Sequence, residues 1–230
     1  MKKTDLLLIG AILAVLWVIT KDNVTYRFEM ARFSNPCENF VSSVMTWRQQ
    51  ENGLYVLGNG VYIGESMVLT NRHLADKDVS FKTVSGSVND VRVLKVIIHP
   101  DLDLAILILS KPLPLSVAVL SDGTLEGDQP PYMVSGFRNG LTSIKYAGSR
   151  FEVVNTDELL ARHEPKTMIM FHNGATSTGD SGGALLDKKC ELVGLVSGGN
   201  HSFMGKLRPS SFYINLMNEE TLDWIFNSSG

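Results

Sequence analysis

The chain has 230 residues, 44% of them apolar, with a formal net charge of -3 and an isoelectric point near 6.0. That length suits one sizeable domain or two small fused ones, and the absence of a basic excess argues against nucleic acid as a partner. The two cysteines, Cys37 and Cys190, form neither a disulfide framework nor a C-x-x-C motif, and a single bridge between them stays open; no two of the five histidines stand at the i, i+4 spacing of a helical metal site, so no metal and no cofactor is expected.

Lys2 and Lys3 precede an uncharged run, Leu6 to Thr20, which Lys21 and Asp22 close. The run is shorter than the ~20 residues that cross a bilayer upright and lies at the upper edge of a signal-peptide core. Trp17 near its outer end, and the lack of a prompt small-x-small cleavage site, favour an uncleaved anchor over residues 1–21. The two lysines predict the amino end inside and the rest extracytoplasmic, periplasmic or extracellular; a cleaved segment would make the protein secreted. Residues 22–38, with Asn35-Pro36, read as a linker.

The folded part is expected from residue 39. Phe40 to Trp47, Leu54 to Leu57, Val61 to Ile63 and Met67 to Thr70 read as short strands, with turns at Arg48 to Gly53, Gly58-Asn59-Gly60 and Gly64-Glu65-Ser66. Strands of this length and spacing predict an antiparallel barrel or sandwich. His73 follows the last of them in Val68-Leu69-Thr70-Asn71-Arg72-His73, placed to face a cleft, although a lone histidine is more often a surface or core residue. Asp103 stands between the apolar runs Val91 to Ile98 and Leu104 to Leu109. A carboxylate at the start of a buried strand is costly without a partner, and His73 is a candidate, while a solvated turn acid is the alternative that Asp101 fits better.

Ser110 to Pro114 and Ser121 to Pro131 read as the connection to a second half. Its strands are expected at Tyr132 to Phe137, Ser143 to Ala147, Phe151 to Val154, Thr167 to His172, Ala184 to Leu186, Leu192 to Ser197 and Ser211 to Leu216. A closing helix is expected at 217–227, with Asn218 as its cap. Within this half, Gly179-Asp180-Ser181-Gly182-Gly183 flanks one hydroxyl with residues that carry almost no side chain. A covalent nucleophile needs such surroundings for close approach of a substrate carbonyl, whereas a Gly-rich hairpin with a solvated serine is the plain alternative.

His73 in V-L-T-N-R-H, Asp103 in D-L-A-I-L and Ser181 in G-D-S-G-G, in that chain order, resemble the chymotrypsin-like serine peptidases over residues 39 to 227. The wording of the motifs is closer to the bacterial and high-temperature-requirement branch, without its appended PDZ domain. The resemblance implies an all-β fold of two six-stranded antiparallel β-barrels, about 39–113 and 125–216, with a C-terminal helix, behind the N-terminal hydrophobic anchor helix. It implies a serine endopeptidase acting on polypeptides, with Ser181 as nucleophile, His73 as general base and Asp103 orienting the imidazole. The N–H groups of Gly179 and Ser181 would form the oxyanion hole. By similarity Ala175, six residues before the nucleophile, lies at the pocket base, Ser197, Gly198 and Gly199 pair with substrate backbone, and Ser211 forms the far wall. None of these is charged, so a small or medium apolar side chain is expected, with His172 as a candidate for acidic ones. The chain lacks the processed amino terminus that partners the acid before the nucleophile in digestive enzymes, so Asp180 is expected to pair with Arg138 or Arg162. Two other readings remain: a catalytically silent binding protein on the same fold, and an ester hydrolase using the same triad.

Overall fold

The computed structural model describes Glu29, Arg32 and residues 34–122, 132–138, 141–148, 151–155, 167–171, 176–200 and 210–228. The expected anchor over 1–21, residues 123–131 of the Ser121 to Pro131 connection, Arg162, His172 and Ala175 lie outside these residues, and no helix among those described is long and apolar enough to cross a membrane.

Alternating and continuous apolar runs fold into strands throughout. The first half contains β1 (Ser43–Gln49), β2 (Tyr55–Gly64), β3 (Met67–Thr70), β4 (Ser80–Thr83), β5 (Gly86–Val88), β6 (Val93–Ile98) and β7 (Ala105–Leu109). These pair antiparallel in the order β5-β4-β1-β2-β3-β7-β6. The second half contains β8 (Tyr132–Arg138), β9 (Leu141–Gly148), β10 (Glu152–Asn155), β11 (Thr167–Phe171), β12 (Ala184–Leu186), β13 (Leu192–Asn200) and β14 (Ser210–Asn215), ordered β10-β11-β14-β13-β12-β8-β9. The all-β expectation with two antiparallel halves holds, but each sheet has seven strands rather than six. In the first half the β4–β5 hairpin, too short and polar to read as strands in the sequence, adds two, while the strands expected at Leu54 to Leu57 and Val61 to Ile63 are one, β2.

One expected turn is absent. Gly58-Asn59-Gly60 lies inside β2, paired with Thr46, Met45 and Val44 of β1. Its glycines are there for close packing: a Cβ on Gly58 would sit 2.3 Å from Leu74, and one on Gly60 would sit 2.5 Å from Val68. The helix α1 (Glu219–Asn227) starts two residues later than expected because Asn218 caps it, its side-chain oxygen accepting from the Glu220 N–H at 3.0 Å.

Each sheet closes on its own apolar cluster, around Val44, Phe81 and Leu107 in the first and Tyr132, Phe171 and Tyr213 in the second. Burial, with the Asp187 carboxylate beside it, pushes the Tyr132 phenol up to about 12. A third cluster joins Leu69 and Ile106 to Met133, Leu186 and Leu195, with Ile225 of α1. The halves are thus one body sharing a core, and the seam between them is where the candidate residues meet. A disulfide between Cys37 and Cys190, Cα atoms 5.4 Å apart, ties the chain before β1 to the turn between β12 and β13. The sequence left that pairing open because residues 153 apart give no local signal.

Candidate active site

Strand register brings His73 and Asp103 together. Thr70, at the end of β3, pairs with Ala105, at the start of β7, so the segments beyond them, leading on to His73 and back to Asp103, leave the sheet at the same end. His73 sits in a single 3-10 turn (Arg72–Leu74). Its Nδ1 lies 2.7 Å from Asp103 Oδ2, and its backbone N–H donates to Asp103 Oδ1 at 3.0 Å, so the carboxylate grips both ring and backbone. Asn71 adds a third tie by donating to the Asp103 carbonyl at 3.0 Å. The imidazole is 48% exposed, and no hydrogen bond occupies its Nε2 among the described residues.

His99 holds the turn that carries Asp103. It is buried, packs at a tilt against Trp224 with ring centroids 4.9 Å apart, and its Nδ1 accepts the N–H groups of Asp101 and Leu102, both at 3.1 Å. Because Nδ1 accepts twice, the neutral ring carries its proton on Nε2. This role has no sequence signal beyond a histidine four residues ahead of the acid.

Ser181 lies on a turn stapled to the second sheet, with Gly182 N–H donating to the Val196 carbonyl (2.9 Å) and Val196 N–H to the Gly183 carbonyl (2.8 Å). Gly179 has φ of +92° with open space where a Cβ would be, which suits close substrate approach. Gly182 is small for another reason: a Cβ there would come within 2.0 Å of the Asn59 carbonyl. Asp180, Gly182 and Gly183 each donate their N–H within the protein, to Ser177, Val196 and Asp180. Those of Gly179 and Ser181 have no acceptor among the described residues, leaving two unpaired donors in the turn that carries the serine. No hydrogen bond joins the Ser181 hydroxyl to His73 among the described residues. Their segments are coupled through Asn59, whose carbonyl accepts from Thr70 Oγ1 (2.6 Å) and whose N–H donates to the Ser181 carbonyl (2.8 Å).

The Asp180 partner differs from the expected arginines. Lys145 on β9 places Nζ 2.7 Å from Asp180 Oδ2, which also accepts from Ser177 N (2.8 Å) and Oγ (3.1 Å). A basic side chain of the second half does fill the position; Arg162 and the side chain of Arg138 lie outside what the structure describes. Lys145 lies partly buried in the middle of β9, a strand that the sequence marked from Ser143 to Ala147.

Of the pocket residues, Ser197 sits at a bulge in β13, Gly198 and Gly199 follow it, and Ser211 on β14 pairs with Gly199. Thr176, absent from the sequence expectation, bridges them: its N–H donates to Ser211 Oγ (3.2 Å) and its Oγ1 to the Gly198 carbonyl (3.1 Å).

Comparison with known proteins agrees with this architecture. M. tuberculosis Rv3671c protease in its active form superimposes with a TM-score of 0.63 at 18% identity, over 82% of this chain and 81% of that one. Its inactive form gives a TM-score of 0.57 at 19% identity, covering 82% and 89%. Kallikrein-related peptidase 10 gives 0.59 at 18% identity, covering 81% and 94%. At such identities the likeness concerns the fold. No curated protein sequence matches the chain. The sequence model of the trypsin-like peptidase domain does, over residues 58–195, a span that takes in His73, Asp103 and Ser181 and more than half of the chain. With that match, the chain belongs to the trypsin-like peptidases, serine endopeptidases built on two antiparallel sheets.

Proposed function

We propose that the protein hydrolyses internal peptide bonds through Ser181, His73 and Asp103, with the Gly179 and Ser181 N–H groups as the oxyanion hole. The observation that carries this is the alternation of satisfied and unsatisfied N–H groups around Ser181, next to a His73 ring already held by Asp103 at 2.7 Å. Ser181 Oγ adds to the scissile carbonyl carbon while its proton passes to His73 Nε2. The oxygen, now negative, takes both free N–H groups, an interaction that typically stabilises such a transition state by about 3 kcal/mol per donor. Collapse breaks the C–N bond, His73 returns the proton to the leaving amine, and water then cleaves the acyl-enzyme by the same steps in reverse order. Asp103 fixes the tautomer and stabilises the imidazolium.

In this reading residues 39–230 are the peptidase domain, and Ala175, Thr176, Ser197, Gly198, Gly199 and Ser211 receive the substrate. Their lack of charge favours a small or medium apolar side chain, with β13 supplying backbone pairing. Lys145 does for Asp180 what a processed amino terminus does elsewhere, so the chain is active as synthesised. Residues 1–21 tether it to a membrane with the catalytic domain outside; the Cys37–Cys190 bridge supports an oxidising compartment.

The test is an organophosphonate probe on the full-length, unprocessed chain, followed by digestion of a peptide library alongside a panel of simple esters. Expected are labelling lost in Ser181→Ala and His73→Ala, and cleavage of peptides. Cleavage of esters alone would replace the peptidase with an acyl hydrolase, and a chain that neither labels nor cleaves would be a binding protein.

A further inference from the structure

Asn59 was expected in a turn and belongs instead to the middle of β2, fully buried at the seam between the sheets. Its side chain reaches across that seam. Phe137 of β8 donates its N–H to Asn59 Oδ1 at 2.6 Å. Because a backbone N–H can only donate, this contact fixes which end of the amide is oxygen, and Nδ2 then faces two carbonyls, Gly179 at 2.8 Å and Phe137 at 3.4 Å. The same residue holds the nucleophile loop by its backbone, donating its N–H to the Ser181 carbonyl at 2.8 Å, with its carbonyl against Gly182. Gly136, beside Phe137, leaves room for the amide: a Cβ there would lie 3.2 Å from it.

Gly179 needs such a restraint more than its neighbours do. It has no side chain, a φ of +92°, open space beside it and an N–H with no acceptor among the described residues. A glycine so placed can rotate its flanking peptides at little cost, and rotation would turn its N–H away from the substrate. The one hydrogen bond on its carbonyl among the described residues comes from Asn59 Nδ2. We propose that Asn59 is a positioning residue for the oxyanion hole: its amide, delivered by the first sheet, pins the Gly179 carbonyl and so the Gly179–Asp180 peptide, the frame that lies between the two free N–H groups of Gly179 and Ser181.

The inference rests on the peptidase reading, and a donor aimed at the oxyanion acts on the transition state rather than on bound substrate. Two variants of the full-length chain test it. Asn59→Asp keeps the size and the acceptor for Phe137 but loses the donor to Gly179, while Asn59→Ala loses both. Rates are referred to active sites titrated with the phosphonate, so that partial unfolding does not count as lost catalysis. Expected is a fall in kcat of about 10- to 100-fold in both, smaller than outright removal of an oxyanion donor, with KM within about twofold. Affinity for a peptide boronate, which mimics the tetrahedral oxyanion, falls in parallel with kcat.

A merely structural residue would lower the melting temperature and the titratable fraction but leave kcat per site and boronate affinity unchanged; that result overturns the proposal. Failure of both variants to fold would also overturn it, since the residue would then serve the fold first. A wild-type chain that neither labels nor cleaves would instead sink the peptidase reading, and this inference with it.

Discussion

Asp103 makes two hydrogen bonds to one residue, and they do different things. The backbone bond fixes where His73 sits, while the 2.7 Å side-chain bond fixes which nitrogen carries the proton. Replacing Asp103 by Asn therefore keeps the geometry and loses the tautomer; kcat should fall on the order of 10⁴-fold with little change in melting temperature, measured on the titrated enzyme. Lys145→Met makes the opposite demand, because it removes the cation from a 95%-buried carboxylate and leaves Asp180 with only the two Ser177 donors among the contacts named above. Lys145 is itself partly exposed, so the expected loss is about 1 to 3 kcal/mol in urea unfolding, below that of a fully buried pair. Lys145→Arg should recover most of it. At this scale the triad candidates were legible because chemistry restricts them to a few residue types in distinctive settings. Lys145, Thr176 and Asn59 were not, since any of several lysines, threonines or asparagines has the same sequence character until the fold selects one.

Strands and turns carry those residues by register. His73 and Asp103 meet because β3 and β7 run antiparallel with Thr70 opposite Ala105, and a shift of one residue would turn Asp103 to the other face. The turn ahead of β7 depends on His99, whose ring satisfies two N–H groups, that of Leu102 buried and that of Asp101 partly so. His99→Ala should lower stability by about 1 to 3 kcal/mol, for the unsatisfied donors, and lower kcat as well, because the loosened turn carries Asp103. Thermal melting and titrated kcat check the two parts separately. Alternation and apolar runs made most strands legible, together with the capped helix. The β4–β5 hairpin was too short to register, and Gly58-Asn59-Gly60 misled because glycine marks both turns and strand positions where another side chain comes close.

Over the whole molecule, the two sheets share one apolar cluster and are crossed by polar contacts at Asn59 and between Ser43 and Ser135, whose hydroxyls lie 3.1 Å apart. Their relation was legible as a family pattern, while the contacts that lock it were not, because each joins residues far apart in the chain. The Cys37–Cys190 bridge belongs to the same class. Cys37→Ser and Cys190→Ser should each cost about 2 to 4 kcal/mol, and the double variant no more than either alone, as judged by urea midpoints.

That bridge also decides how the domain bears mechanical load. A pull on the amino-terminal segment enters at Cys37, just ahead of β1, where hydrogen bonds alone would have to resist being unzipped one after another. The disulfide gives the tension a second covalent route, through Cys190 into β13, the strand to which the Ser181 turn is stapled. Force is thus divided between the two sheets instead of falling on β1 and its neighbours alone.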